Sequence, residues 1–252
     1  MPAPVSGLVF FALGLSLFWV VQRWLHREIQ AVLLLLTRHP SAAIGIFSLL
    51  FFPGVLLHET SHFLMARLLR VRTGKFSLIP QTTPQGALRL GYVETARADW
   101  LRDTLIGMAP LVSGVAVTAW LSLDRLQLLP VGAAILATQW GTLPALLRNV
   151  MAVPDFWLWF YLAFAVSSTM LPSASDRQAW LPLGLVLLGL LGVAVAAGAG
   201  NWMLQNLAPG VNSILLGLSA VFSVSLAVHL VLVLPIWLVR LLISQITGMK
   251  VV

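Results

Sequence analysis

Apolar runs long enough to cross a bilayer recur along the chain, at residues 5–22, 43–66, 104–123, 155–172, 181–199 and 213–239. Each predicts a membrane helix. A further apolar stretch, 129–147, contains Gly141 and Pro144 and reads as re-entrant or interfacial rather than as a full span. The longest polar interval, 67–103, changes the period from helical to two. There Phe76 and Leu78 alternate with Lys75 and Ser77, and Leu88, Leu90 and Tyr92 alternate with Arg89, Gly91 and Val93. With "PQTTPQG" between them, these residues predict a β-hairpin over 74–95. The fold class expected is an all-α polytopic membrane protein of about six transmembrane helices, with one membrane-associated hairpin.

Composition agrees with that pattern. Of 252 residues, 59% are hydrophobic and 9% charged, against about 25% charged in a soluble domain. The net charge of +7 comes from cations that flank apolar runs, a positive-inside pattern that points to the lipid bilayer and not to nucleic acid. Residues 67–103 hold seven of the fifteen Lys and Arg residues and are expected on the cytoplasmic side. The opening MPAPVSG lacks the basic start of a signal peptide, so 5–22 is read as a retained span and 23–40 as an interfacial segment.

Against this background "FFPGVLLHETSHFLMARLLR" (51–70) stands out. An ionisable residue at mid-membrane costs roughly 2.5–3.5 kcal/mol, and His58, Glu59 and His62 lie within five positions. On a helix, residues four apart share a face, so His58 and His62 can grip one ion. Glu59, about 100° further round, is placed to act on water beside it. This is the HExxH arrangement of two zinc ligands and a carboxylate general base. The competing interpretation is a buried, hydrogen-bonded His–Glu pair without metal. The chain has no cysteine, so any metal falls to His and carboxylate ligands. Hydrolytic zinc takes three protein ligands and keeps one position open. Asp176, after an apolar run and beside Pro172, is favoured as the third over Glu94, Asp99 and His229. For Asp176 to reach the histidines, 155–172 must run in the same direction as 43–66, and 129–147 must not cross.

These residues resemble the site-2 protease family of intramembrane zinc metalloproteases. "HETSH" (58–62) fits the family's HExxH, "TMLPSASD" (169–176) resembles its NxxPxxPxDG stretch, and "GMAPLVSG" (107–114) resembles the small-residue helix start after its hairpin. The resemblance covers about residues 43–180, preceded by an N-terminal helix and interfacial segment (residues 1–42) and followed by C-terminal helices in 181–252. Thr169 stands where the family has Asn, the second proline is missing, and Arg177 replaces the glycine after the aspartate.

The resemblance implies one Zn2+ per chain on His58, His62 and Asp176, with Glu59 catalytic. It implies hydrolysis of peptide bonds in or near transmembrane segments of a membrane protein substrate. Substrate contacts are expected from Thr169 and Ser168, and from Leu88 and Leu90 on a strand edge that an unwound peptide can join. The expected location is a prokaryotic cell membrane, with HExxH toward the cytoplasm. Two rival functions are a membrane zinc transporter and a catalytically inactive relative that binds a partner helix.

Overall fold

The computed structural model describes residues 6–82, 88–178 and 180–249, with only the backbone at 82, 88 and 89. It is mostly helical. The helices are α1 (Ser6–Thr37), α2 (Pro40–Leu50), α3 (Phe52–Leu68), α4 (Trp100–Trp120), α5 (Leu129–Leu136), α6 (Leu143–Met151), α7 (Phe156–Thr169), α8 (Trp180–Ala196), α9 (Gly200–Asn206) and α10 (Ala208–Thr247). Three are individually long and apolar enough to cross a membrane: α1, α4 with the π-helical turn that extends it to Arg125, and α10. Three bent pairs raise the count to as many as six. These apolar helices are compatible with an integral membrane protein.

Two boundaries differ from the sequence pattern. The run 43–66 is not one helix, because the chain turns by 72° between α2 and α3. Pro53 accounts for the break: it has no N–H for the Leu49 carbonyl, and its ring crowds that carbonyl. Residues 23–37, expected as an interfacial segment, continue α1. They do so because α1 packs along α10 and buries Gln22, Leu25, Glu28, Ile29 and Val32 within the fold. Arg240 on α10 reaches Glu28, with Nε 2.8 Å from Oε2. The stretch 129–147 holds α5, one 3-10 turn and the start of α6. At eight and nine residues, α5 and α6 extend only about 12–14 Å each.

The hairpin lies where the period of two predicts it. β1 (Thr73–Ser77) pairs antiparallel with β4 (Tyr92–Thr95), in the register Phe76 to Val93 and Ser77 to Tyr92. β2 (Gln81–Thr82) pairs with β3 (Leu88–Arg89). Residues 83–87 of the expected turn lie outside the described residues. Leu78 and Leu90 pack against a core of Leu25, Ile29, Phe47, Phe51, Val55 and Phe164. The hairpin is thereby held against α3, while Phe76 meets Phe63 edge-on.

Candidate metal centre

α3 buries Val55, Glu59, His62 and Ala66, spaced four, three and four apart on one helical face. That face meets α4 and α7. The chain after α7 bends back in turns over 174–178. It brings Asp176 to the two histidines.

His58 Nε2 and His62 Nε2 are 3.2 Å apart. Asp176 Oδ2 is 3.7 Å from His58 Nε2, and Asp176 Oδ1 is 3.4 Å from His62 Nε2. A tetrahedral ion with bonds of about 2.0–2.2 Å spaces its ligands by about 3.3–3.6 Å; the three side chains lie close to that spacing, so the group could hold a metal ion. Their far sides are tied down. His58 Nδ1 donates to the Thr169 carbonyl at 2.7 Å, and His62 Nδ1 to the Ile106 carbonyl at 2.9 Å. With both Nδ1 atoms protonated, both Nε2 lone pairs face each other and the carboxylate. Three electron-rich atoms converging in a partly buried place favour a cation, and the donor set fits a divalent metal with a preference for nitrogen and oxygen. Among the described residues, this is the one group of three or more His and acidic side chains so arranged.

Asp176 is itself held by its loop. The Ser173 N–H donates to Oδ2 at 2.7 Å, and Arg177 folds back to donate to the Ser173 carbonyl at 3.2 Å. The loop also depends on close approach to α4, where a Cβ on Gly107 would collide with the Asp176 carbonyl.

The other ligand candidates, Glu94, Asp99 and His229, have partners of their own. Glu94 accepts the Lys75 N–H at 3.1 Å on the hairpin. Asp99 caps α4 by accepting the Arg102 N–H at 3.0 Å, and that bond holds its carboxyl below the usual carboxylate range. His229 is buried, with Nδ1 donating to Ser225 at 2.7 Å and Nε2 2.9 Å from Ser168 Oγ.

A cavity of about 910 Å3 opens over the centre, and Glu59, Leu90 and Thr169 contribute to its wall together with the three ligands. Glu59 is buried and lies under the hairpin, where a Cβ on Gly91 would come 2.9 Å from Glu59 Cγ. The hydroxyls expected to meet substrate are spent within the protein. Ser168 Oγ goes to His229, and Thr169 Oγ1 back-bonds to the Ala165 and Val166 carbonyls. Leu90 does line the cavity; the Leu88 side chain lies outside the described residues.

The pattern of the sequence did not point to Gln22 or His26, which α1 brings to the same cavity. Gln22 donates to the Ser168 carbonyl, and His26 meets Phe47 edge-on and Phe51 at a tilt, with its Nε2 buried and unpartnered. Their partners are remote in sequence; polar residues within an apolar run were the only available signal.

Comparisons with family models, curated proteins and solved structures gave no match. The functional reading therefore stands on the chemistry of the centre.

Proposed function

We propose that this protein is a zinc-dependent intramembrane endopeptidase, a divergent relative of the site-2 proteases, which cleaves transmembrane segments of other proteins. The observation that carries the reading is the convergence of His58 Nε2, His62 Nε2 and an Asp176 carboxylate oxygen beside a buried glutamate, among helices apolar enough for a membrane. The three ligands would hold one Zn2+, which supplies Lewis acidity and lowers the pKa of water toward neutrality. Glu59 accepts a proton from water as its oxygen attacks the scissile carbonyl carbon. Glu59 then gives that proton to the amide nitrogen, and the C–N bond breaks.

The substrate must present an extended segment, because a helix buries its peptide bonds in its own hydrogen bonds. The stretch 90–95, most of which lines the cavity beside Glu59, offers a backbone along which an unwound segment can lie. The HExxH end of α3 precedes Arg67, Arg70 and Arg72, which supports a cytoplasmic-side centre by the positive-inside rule.

The test is zinc content of the purified chain, wild type beside Asp176→Ala and Glu94→Ala. About one zinc per chain, lost in Asp176→Ala and kept in Glu94→Ala, is expected. Glu59→Gln should keep its zinc and lose cleavage by about 10²–10⁴-fold, the usual worth of a general base. Retained cleavage in Glu59→Gln would remove the hydrolytic mechanism. Zinc flux into proteoliposomes without cleavage would favour the transport reading, for which Gln22 and His26 in the same cavity are the supporting observation.

A further inference from the structure

Each ligand histidine is aimed by a backbone carbonyl, and a carbonyl inside a helix normally has a claimant of its own. In an α-helix the N–H of residue i+4 takes the carbonyl of residue i. Ile106 is in the middle of α4, so its claimant is residue 110. That residue is proline, buried inside the helix, and it has no N–H to give. The Ile106 carbonyl is thus left to His62 Nδ1, at 2.9 Å. The other carbonyl is open because its helix ends there, and the residues that follow do not claim it. Thr169 ends α7; its i+3 claimant is Pro172, without an N–H, and its i+4 claimant is Ser173, whose N–H goes to Asp176 Oδ2 at 2.7 Å. The Thr169 carbonyl is thus left to His58 Nδ1, at 2.7 Å.

We propose that Pro110 is a positioning residue of the metal centre: by lacking an N–H it reserves the Ile106 carbonyl for His62 and fixes that imidazole with its Nε2 lone pair toward the ion. A buried carbonyl needs a donor, and proline makes the imidazole that donor. The inference rests on the metal-binding reading above and adds a claim about how His62 is aimed.

The test uses the full chain in detergent. Zinc content and affinity of the wild type are measured first, by competition with a chelator. A wild type that takes up no zinc overturns the reading of the centre and this inference with it. Given a zinc-binding wild type, Pro110→Ala restores an N–H at position 110, which competes for the Ile106 carbonyl. Zinc affinity should fall by about 10–100-fold, the usual effect of removing an outer hydrogen bond to a metal ligand. The melting temperature of the metal-free protein should stay level or rise, because the helix regains a bond. Pro110→Gly and Pro110→Val restore the same N–H with smaller and larger side chains, and should lose affinity to a similar extent. Affinity within twofold of wild type in Pro110→Ala, or a loss graded by side-chain volume across the three variants, would overturn the proposal. One readout needs no variant: 15N-histidine spectra of the zinc-loaded wild type should show His62 protonated at Nδ1, and a proton at Nε2 would refute the arrangement.

Discussion

At the scale of single residues, the centre depends as much on missing atoms as on functional groups. Gly107 lets α4 approach the Asp176 backbone so closely that a Cβ would overlap the carbonyl. In Gly107→Ala the ligand loop must retreat, and zinc affinity should drop by about tenfold or more in a chelator titration, although no ligand has changed. Gly91 has the corresponding role above the base. A methyl there would lie 2.9 Å from Glu59 Cγ and 3.0 Å from Val55 Cγ1, so Gly91→Ala should keep its zinc while turnover falls. Misplacement of a reacting group by about 1 Å can cost 10²-fold, and turnover set beside zinc content separates this effect from loss of metal. His58, Glu59 and His62 were legible in the sequence because ionisable residues in an apolar run need a reason, and Asp176 because an acidic residue closes another such run. Gly91 carries no such mark, and although Gly107 and Pro110 fall in the small-residue stretch 107–114, glycine and proline have many ordinary uses and nothing local assigns these two their roles.

At the scale of elements, hydrophobic period predicted which segments become helices and where the hairpin lies. It did not find the bend between α2 and α3, because a run of apolar residues looks alike on either side of Pro53. Nor did it find the true length of α1. Arg23, His26, Arg27 and Glu28 resemble an interfacial stretch until α10 supplies Arg240 to Glu28, and no local pattern announces a partner some two hundred positions away. The hairpin yields a prediction at this scale. Leu90 connects β3 to β4, packs against the core and lines the cavity. In Leu90→Pro the segment loses a backbone donor, so a substrate that binds by strand addition should show a raised KM at unchanged zinc content. An unchanged KM would count against strand addition.

At the scale of the whole molecule, the metal centre sits where α3, α4 and the end of α7 meet, and α1 with α10 closes one side of that group. The closure includes the Glu28–Arg240 pair, in which Glu28 is buried and Arg240 about one-third exposed. Removing one partner from a buried pair costs about 3–5 kcal/mol; the exposure of Arg240 puts the expected loss for Arg240→Ala near the lower figure, about 3 kcal/mol. It should appear as a lower melting temperature, and Glu28→Gln combined with Arg240→Ala should lose less than the sum of the two single changes. The same pair sets an order of assembly. A ribosome makes α1 long before α10, and throughout that interval Glu28 lacks Arg240, its partner in the folded chain. The first helix keeps that carboxyl without its folded-state partner until residue 240 has been made. Docking of α1, which brings Gln22 and His26 to the cavity, is therefore a late event in the birth of the chain, and a nascent chain arrested before α10 would carry both ligand histidines in a half-walled site.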